Sequence, residues 1–381
     1  MTGADDSSAK VLRIEHLLNL MSARMPWTMG AKVVEAIGIR KSRGWAETIA
    51  SFRDVPPSGE ALSRCLAKLE ATVLDHLLVG EKQVLWYEWR HLSDEIRVDL
   101  ESWIKSVRPR SLQSDREPFD IASMPYKASE LKPLVRKPPV LVSASRVNEE
   151  LRLLYFSVRT YTTREEIDVS AFPPKTRERF DDYLEVIGLR ARNIPCVDAV
   201  VFDPHTSRTE IRMDHQRGMK SDGEDAAFTA IIEHLNAVLF RAKARMPMGL
   251  GLVDFAPAVN RLYLDSRAGR VEFLGFVANS ATASSNNTGK VHRRANQDLR
   301  RDPFHLGGKG AVSSIDPYTI GVSFETPSKT ERGQLELHGS VRKLFGPHRG
   351  GITSAGMYGC LTLEDHEFLS GVLAAHLPKP K

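Results

Sequence analysis

Apolar residues recur at three- and four-residue spacing through much of the first hundred positions, which is the pattern of amphipathic helices. Clear stripes run over residues 11–21 and 62–77, and each lies between helix start and stop signals such as serine, proline and glycine. Residues 84–89 are aromatic and fit either a strand or a helix. The pattern therefore predicts a helical N-terminal domain over residues 1–108.

The apolar periodicity is lost over the next thirty residues, where prolines accumulate. Six of them occur, at positions 109, 118, 125, 133, 138 and 139. Proline removes a backbone donor and favours extended conformations, so such a stretch is typical of a connector between domains. We predict a proline-rich connector over residues 109–139.

From residue 140 onward, short runs of β-branched and aromatic residues alternate with turn signals. Paired runs predict hairpins, and long apolar stripes over residues 226–245 and 364–377 predict two helices. Hairpin-linked strands with singly inserted helices indicate an antiparallel α+β domain over residues 140–381 and not a doubly wound parallel sheet. The predicted hairpins pair residues 140–143 with 151–161, 197–203 with 209–213, 261–264 with 271–278, and 319–325 with 334–345.

Composition narrows the class of protein without identifying it. Hydrophobic residues make up 41% of the chain and charged residues 27%, which is typical of soluble globular proteins. No apolar run approaches the roughly 18 residues of a membrane-spanning helix, and the first ten residues do not resemble an export signal. The three cysteines lie far apart, without a CxxC pair that would favour a zinc site. We expect a cytoplasmic protein without a membrane segment, a metal or a cofactor.

The balance of charged side chains is mildly basic and rich in arginine. The chain carries 53 basic and 48 acidic residues, for a net charge of +5, and 35 of the basic residues are arginine. Arginine forms forked contacts with phosphate, which favours a nucleic-acid partner. A GC-rich genome also enriches arginine without any selection for binding, so this signal depends on where the arginines lie.

The segment 31–51 is the first candidate for such binding. A helix, a glycine at position 38, an apolar residue and a second helix that begins with basic residues resemble the plan of a helix-turn-helix. In that arrangement Arg40, Lys41 and Arg43 lie near the phosphates of DNA. Gly44 and Glu47 occupy positions where apolar packing residues are expected, so an ordinary helical hairpin with a solvated basic corner is the alternative.

The second candidate is the polar segment 279–310, which we predict to be a long basic loop. Loops this long in a compact domain are usually functional or disordered, and unopposed arginines favour contact with phosphate. A solvated insertion without a binding role is the alternative. Its candidate contact residues are Lys290, Arg293, Arg294, Arg300, Arg301 and Lys309.

Candidate catalytic residues do not form a complete set. His205 and His338 each precede a serine by two positions, which resembles the paired histidines of two-histidine phosphoesterases. Asp316 and Glu336 resemble the acidic pair of a metal-dependent nuclease, but His338 occupies the position where that pattern has a lysine. We therefore assign no catalytic residue.

These observations together predict a nucleic-acid-binding protein, with DNA as the first candidate, that uses the basic loop and the helix pair. Two alternatives stay open. One is a phosphodiester-cleaving or nucleotide-processing enzyme in the C-terminal domain, and the other is a protein-interaction component of a larger complex.

Overall fold

The computed structural model describes most of the chain, and its helices precede and surround a large antiparallel sheet. The longest helices, α1, α4 and α8, follow the predicted apolar stripes. The described residues are 3–112, 128–135, 137–180, 182–183, 185–215, 220–221, 223–241, 251–279, 290–293, 297–329, 332–346 and 350–378. Their helices are α1 (Gly3–Arg24), α2 (Trp27–Ile37), α3 (Trp45–Asp54), α4 (Gly59–Val79), α5 (Asp94–Ser106), α6 (Ala128–Leu131), α7 (Pro174–Arg177), α8 (Glu224–Arg241), α9 (Ala256–Leu264), α10 (Pro303–Gly310), α11 (Val341–Phe345) and α12 (Leu363–Ala375).

Eleven strands of the described residues form one sheet in which every pairing is antiparallel. The strand order is β2-β3-β4-β5-β1-β11-β10-β9-β7-β8, and β6 pairs with β3. The predicted α+β class is therefore confirmed. The strands are β1 (Lys82–Glu88), β2 (Val140–Val147), β3 (Glu150–Glu166), β4 (Ile187–Asp203), β5 (Arg208–Asp214), β6 (Lys220–Ser221), β7 (Arg270–Asn279), β8 (Lys290–Arg293), β9 (Ser314–Glu325), β10 (Arg332–His338) and β11 (Ala355–Tyr358).

The strand β1 joins the N-terminal residues to the sheet. It lies in the middle of the strand order, between β5 and β11, so it supplies a central strand from within the segment 1–108. Its register aligns Lys82 with Asp214 on one side and with Met357 on the other. The ambiguous aromatic stretch is thus a strand. The division into domains at residues 109–139 stays a prediction, and residues 113–127 and 136 of that connector lie outside the described residues.

Two hydrophobic clusters cover the sheet. The larger combines buried residues of α1 to α4, α9 and α12 with strands from both halves of the sheet. The smaller lies between α5, α8 and strands β3, β4 and β5, where Ile211 and Met213 of β5 face α8 residues such as Ile231. Because side chains alternate along a strand, the other residues of β5 face the opposite side.

Three local predictions are wrong. The predicted strand over 334–345 ends at His338, and residues 341–345 form α11. The predicted strand at 261–264 belongs to α9, in which Ala258, Val259, Leu262 and Tyr263 are buried at helical spacing. The predicted long loop at 279–310 contains β8 and the helix α10 in its described part, because Asp302 caps α10 by accepting from the backbone of Phe304 and His305. The described residues of these last two segments thus contain regular elements that their local composition did not indicate.

Within the described part of the chain, no helix combines the length and hydrophobicity needed to cross a membrane.

Candidate functional site

The basic residues of the predicted helix-turn-helix lie in the connection between α2 and α3. α2 ends at Ile37, Gly38 adopts a φ of 91°, and α3 begins only at Trp45. Arg40, Lys41 and Arg43 are therefore exposed turn residues, not the first residues of the second helix. Lys41 pairs with Glu35 at 2.7 Å, which offsets part of the positive charge of the turn.

The basic residues of the segment 279–310 separate into different environments. Lys290 and Arg293 lie in β8, which pairs with Phe276 and Phe273 of β7, while their side chains and Arg294 lie outside the described residues. Arg301 is exposed, and Lys309 is exposed with its ammonium 5.1 Å from the centre of the Tyr263 ring. Within the described part of the segment, the basic side chains therefore do not form one continuous exposed row.

Arg300 is a structural residue. Its side chain is 10% exposed and binds both carboxylate oxygens of Asp298, with Nε–Oδ1 and Nη2–Oδ2 distances of 2.9 Å. The guanidinium also donates to the backbone oxygens of Asp265, Ala268 and Gly269, which form the turn between α9 and β7. Burial alone would raise the pKa of Asp298, but Arg300 outweighs it and lowers that pKa. Arg300 thus holds a turn together and has few donors left for a phosphate.

Helix α10 exposes apolar side chains. Phe304 is 71% exposed and Leu306 is 51% exposed, whereas His305 between them is buried and bonds to the Tyr263 hydroxyl at 3.0 Å. Exposed aromatic and aliphatic side chains close together are more typical of a protein contact than of a phosphate contact.

Two of the candidate catalytic residues are in contact, because Glu336 Oε2 lies 2.9 Å from His338 Nε2, but His205 and Asp316 lie apart from this pair. His205 lies in the turn before β5 and His338 at the end of β10, and β1 and β11 separate those strands. Glu336 is aligned with Gly321 of β9, five residues along the strand from Asp316, which corresponds to about 16 Å. In the described residues, no three His, Cys, Asp or Glu side chains are grouped so that they could hold a metal ion.

The strand β5 instead contains an unusual row of charges. Arg208, Glu210, Arg212 and Asp214 alternate along it, face away from α8, and are buried or nearly so. Burying charges costs free energy unless each is paired, so their contacts define what this strand does.

Glu210 is the centre of the first group of contacts. Its Oε1 accepts from Arg212 Nε at 2.6 Å and from His366 Nε2 of α12, and its Oε2 lies 3.5 Å from Arg208 Nη2. Burial alone would raise the pKa of Glu210, but Arg212, His366 and Arg208 outweigh it and hold the pKa well below its usual range. Glu210 is therefore a carboxylate at neutral pH.

His366 is a neutral imidazole in a fixed orientation. Burial lowers its pKa, and Arg212 lowers it further against the opposing effect of Glu210. Since Glu210 is ionised, Nε2 of His366 carries the proton that Glu210 accepts, and Nδ1 is an acceptor. Within the described residues, that Nδ1, Arg212 Nη1 and Arg208 Nε are buried without a hydrogen-bond partner.

These three side chains line a cavity of 310 Å³ between α12 and the strands β3, β4 and β5, which we call the α12 cleft. The Arg208 guanidinium stacks over Trp86, 3.8 Å from the ring centre, and Arg152 pairs with Glu150 at 2.6 Å. The residues that line the α12 cleft are Glu150, Arg152, Val201, Asp203, Thr206, Arg208, Glu210, Arg212, Leu363, His366, Glu367, Ser370, Gly371 and Ala374.

The far end of β5 forms a second group of buried charges, which we call the Asp214 cluster: Asp214, Arg24, Lys82, Asp198 and Arg159. Arg24 binds both oxygens of Asp214 at 2.6 and 2.8 Å, and Lys82 donates to the Val197 backbone oxygen at 2.6 Å. Arg159 pairs with Asp198, and the Asp214 amide donates to Asp198 at 2.8 Å. Burial lowers the pKa of Lys82 to about 8, so it is mainly protonated at pH 7. The cluster contains three cations and two carboxylates.

Sequence reasoning missed both groups of charges. The alternation of charged and other residues over 208–214 is typical of a strand with one solvated face. Only the packing of α12 and α1 on that face shows that the charges are buried, and these helices are distant in sequence.

Comparison with known proteins adds no assignment. No family model matches the chain, and a search of curated proteins finds no relative. The function is therefore argued from the geometry alone.

Proposed function

We propose that the chain binds a small phosphate-bearing ligand in the α12 cleft. The observation that supports this most directly is the set of three buried, unpartnered nitrogen atoms on Arg208, Arg212 and His366. Buried polar atoms are rarely left unpaired in native proteins, and those that are unpaired commonly accommodate a ligand, an ion or a water molecule.

The types of these atoms favour phosphate. Arg208 Nε and Arg212 Nη1 are donors and require an acceptor, while His366 Nδ1 is an acceptor and requires a donor. A phosphate monoester, whose second pKa is about 6, offers acceptor oxygens and, in its singly protonated form, one hydroxyl donor. The inner charges, two arginines against Glu210, sum to +1, whereas the rest of the lining adds Arg152 against Glu150, Asp203 and Glu367. An anion is therefore attracted to the inner arginines and not to the cleft as a whole.

The size of the cleft limits the ligand. Its 310 Å³ lies at the lower end of the range of about 300–1,000 Å³ for small-molecule pockets. We therefore expect a single phosphate with a small organic group and not a dinucleotide.

Isothermal titration with inorganic phosphate and with phenyl phosphate at pH 7 tests the proposal. Gly371 lines the cleft and a Cβ there meets no atom within 4 Å, so we expect the longer side chain of Gly371→Leu to narrow the cleft. We expect Gly371→Leu to weaken binding at least tenfold and Gly371→Ala, which fills little space, to retain it. Absence of binding to the unmodified chain at millimolar phosphate, or equal affinity in both variants, contradicts the proposal.

Nucleic-acid binding is the second candidate, and one contact favours it. The Lys32 ammonium of α2 donates to the Lys329 backbone oxygen at 2.6 Å, which brings the β9–β10 turn to α2. Lys32 and Lys329 are exposed, like Arg40, Lys41 and Arg43 of the neighbouring connection, so these side chains supply positive charge to one corner.

An electrophoretic shift with single- and double-stranded DNA and RNA at two salt concentrations tests this candidate. Replacing Arg40, Lys41 and Arg43 together with Ala is expected to weaken binding to all sequences alike and to flatten the salt dependence, because each phosphate contact releases condensed counterions. Unchanged affinity and salt slope in the triple variant assign the corner to solvated surface.

The proposed cytoplasmic location has one supporting observation. Cys65, Cys196 and Cys360 are all free and buried, as is usual for proteins of reducing compartments.

A further inference from the structure

A second cavity, of 480 Å³, lies beside β3 on the side of the sheet that faces α8, and we call it the β3–α8 pocket. Its walls include residues 157–160 of β3, Lys137, and the small residues Ala227 and Ala230 of α8. It shares no lining residue with the α12 cleft, so binding to the two cavities can be tested independently.

An unpaired strand edge forms one side of this pocket. β2 pairs with β3 only as far as Phe156, and β6 pairs with β3 only at Tyr161 and Thr162. Among the described strands, none pairs with residues 157–160 on that edge. Alternate residues of a strand direct their N–H and C=O groups to the same edge, so two of these four residues present backbone groups to an occupant.

Two buried side-chain atoms of residues that line the pocket lack a partner within the described residues. They are the Ser157 hydroxyl and Arg159 Nε, on residues that are 6% and 2% exposed. The two terminal nitrogens of Arg159 are already engaged, one with the Asp214 backbone oxygen at 2.6 Å and the other with Asp198. Arg159 Nε–H and the Ser157 hydroxyl are therefore two donors without a partner among the described residues, which matches the two oxygens of a single carboxylate.

The electrostatics of the pocket favour an anion. Arg159 belongs to the Asp214 cluster, in which three cations face two carboxylates, and Lys137 adds a positive charge at the wall. Helix α8 is 18 residues long and begins at Glu224, so its positive end adjoins the pocket. Of the two acidic residues in its first turn, Glu224 pairs with His215 at 2.9 Å and Asp225 is exposed.

The remaining walls are apolar and small. The alanines of α8 leave room for a short aliphatic side chain, and a Cβ at Gly223 would lie 3.8 Å from Arg159 Cγ, in ordinary contact. An occupant thus meets two donors for a carboxylate at one end, a wall of small apolar side chains, and a strand edge that can pair with an amide.

We propose that the β3–α8 pocket binds the free carboxylate of an extended ligand with a short apolar side chain and a neighbouring amide. This is the chemistry of an N-acylated amino acid and equally of the last residue of a peptide.

Titration of the full chain with N-acetylvaline and with N-acetylvalinamide at pH 7 tests the proposal, since the two probes differ only in the carboxylate. We expect the acid to bind at least tenfold more tightly than the amide. Equal affinities, or no binding of the acid, overturn the proposal, and this comparison depends on no variant.

A matched pair of variants locates the site. Ala230→Leu fills the pocket, whereas Ala237→Leu adds the same side chain to an exposed position of the same helix. We expect the first to reduce acid binding at least tenfold and the second to leave it unchanged, and Gly371→Leu in the α12 cleft to have no effect. Loss of binding in Ala237→Leu or Gly371→Leu, or full binding in Ala230→Leu with a native circular dichroism spectrum, places the acid elsewhere and refutes the assignment.

A tetrapeptide that ends in valine distinguishes the two sources of this chemistry. Tighter binding of the tetrapeptide than of N-acetylvaline indicates that preceding residues follow the β3 edge, as a peptide terminus would. Equal affinity indicates a small acid, and either result is compatible with the carboxylate site.

Discussion

Replacing Arg300 with alanine separates a structural role for this arginine from a role in binding. The substitution removes the donors that bridge Asp298 to the turn formed by residues 265–269. It leaves three backbone oxygens without their side-chain donor and the Asp298 carboxylate, which is 14% exposed, without its partner.

The expected cost follows from those contacts. An unpaired buried acceptor costs about 1–3 kcal/mol, and breaking a well-buried ion pair costs about 3–5 kcal/mol. Partial access of water to the turn and to Asp298 reduces both values, so we expect a loss of about 2–4 kcal/mol in the free energy of unfolding. Arg301 is exposed, and its replacement with alanine is expected to change that free energy by less than about 0.5 kcal/mol.

Urea unfolding followed by tryptophan fluorescence measures both variants, because the chain contains five tryptophans. The reasoning requires a lower midpoint for Arg300→Ala at an unchanged slope, with Arg301→Ala close to the unmodified chain. Arg300→Lys keeps the positive charge but lacks the several planar donors of the guanidinium, so its unfolding midpoint is expected to lie between those of Arg300→Ala and the unmodified chain. Equal midpoints for the two alanine variants, together with weakened DNA binding in Arg300→Ala, refute the structural role.

Three further predictions concern other parts of the molecule. Burial, with Arg24 and Lys82, lowers the pKa of His76 to about 4, below the unfolded value of about 6.5. Because the unfolded chain then binds the proton more readily, the free energy of unfolding should fall by about 2–3 kcal/mol between pH 6.5 and 4.5. In His76→Asn this part of the loss, measured by urea unfolding, should disappear. Gly30→Ala should destabilise the fold by about 1–3 kcal/mol, since its Cβ would lie 2.1 Å from the Trp45 ring. Gly371→Ala within α12 meets nothing within 4 Å and should not destabilise the fold in the same assay. Limited proteolysis should cut within residues 109–139. The two fragments should then elute together in size-exclusion chromatography, because β1 pairs with β5 and β11. Separate elution of two folded pieces contradicts this expectation of joint elution.

Elements specified by nearby residues could be predicted from the sequence. α12 follows its apolar stripe and begins where Thr362 and Asp365 form a reciprocal cap, and the β4–β5 hairpin turns at its predicted position. In these elements the hydrogen bonds that fix the boundary lie within a few residues, so local composition contains the information.

Elements that depend on distant partners could not. The stretch that becomes β1 is ambiguous by itself, because its strand conformation depends on pairing with residues more than a hundred positions away. Arg300 follows the same logic, since its charge predicts an exposed side chain and only the turn at residues 265–269 explains its burial. The short apolar run at 261–264 is compatible with both a strand and a helix, and α9 is fixed by burial against the sheet.

The buried charges of β5 are the feature that local reasoning was least able to interpret, and they support a functional role for this strand. Replacing buried ion pairs with well-packed apolar residues is often neutral or stabilising, so stability alone does not account for Glu210 and Asp214 in the interior. A purely structural network would also be expected to satisfy its own donors, yet Arg208, Arg212 and His366 each retain a buried atom without a partner among the described residues. Sites where local rules fail without a compensating contact are commonly sites of function. The α12 cleft adjoins these unsatisfied atoms, which is why it carries the proposed function in preference to the exposed arginines that the sequence emphasised.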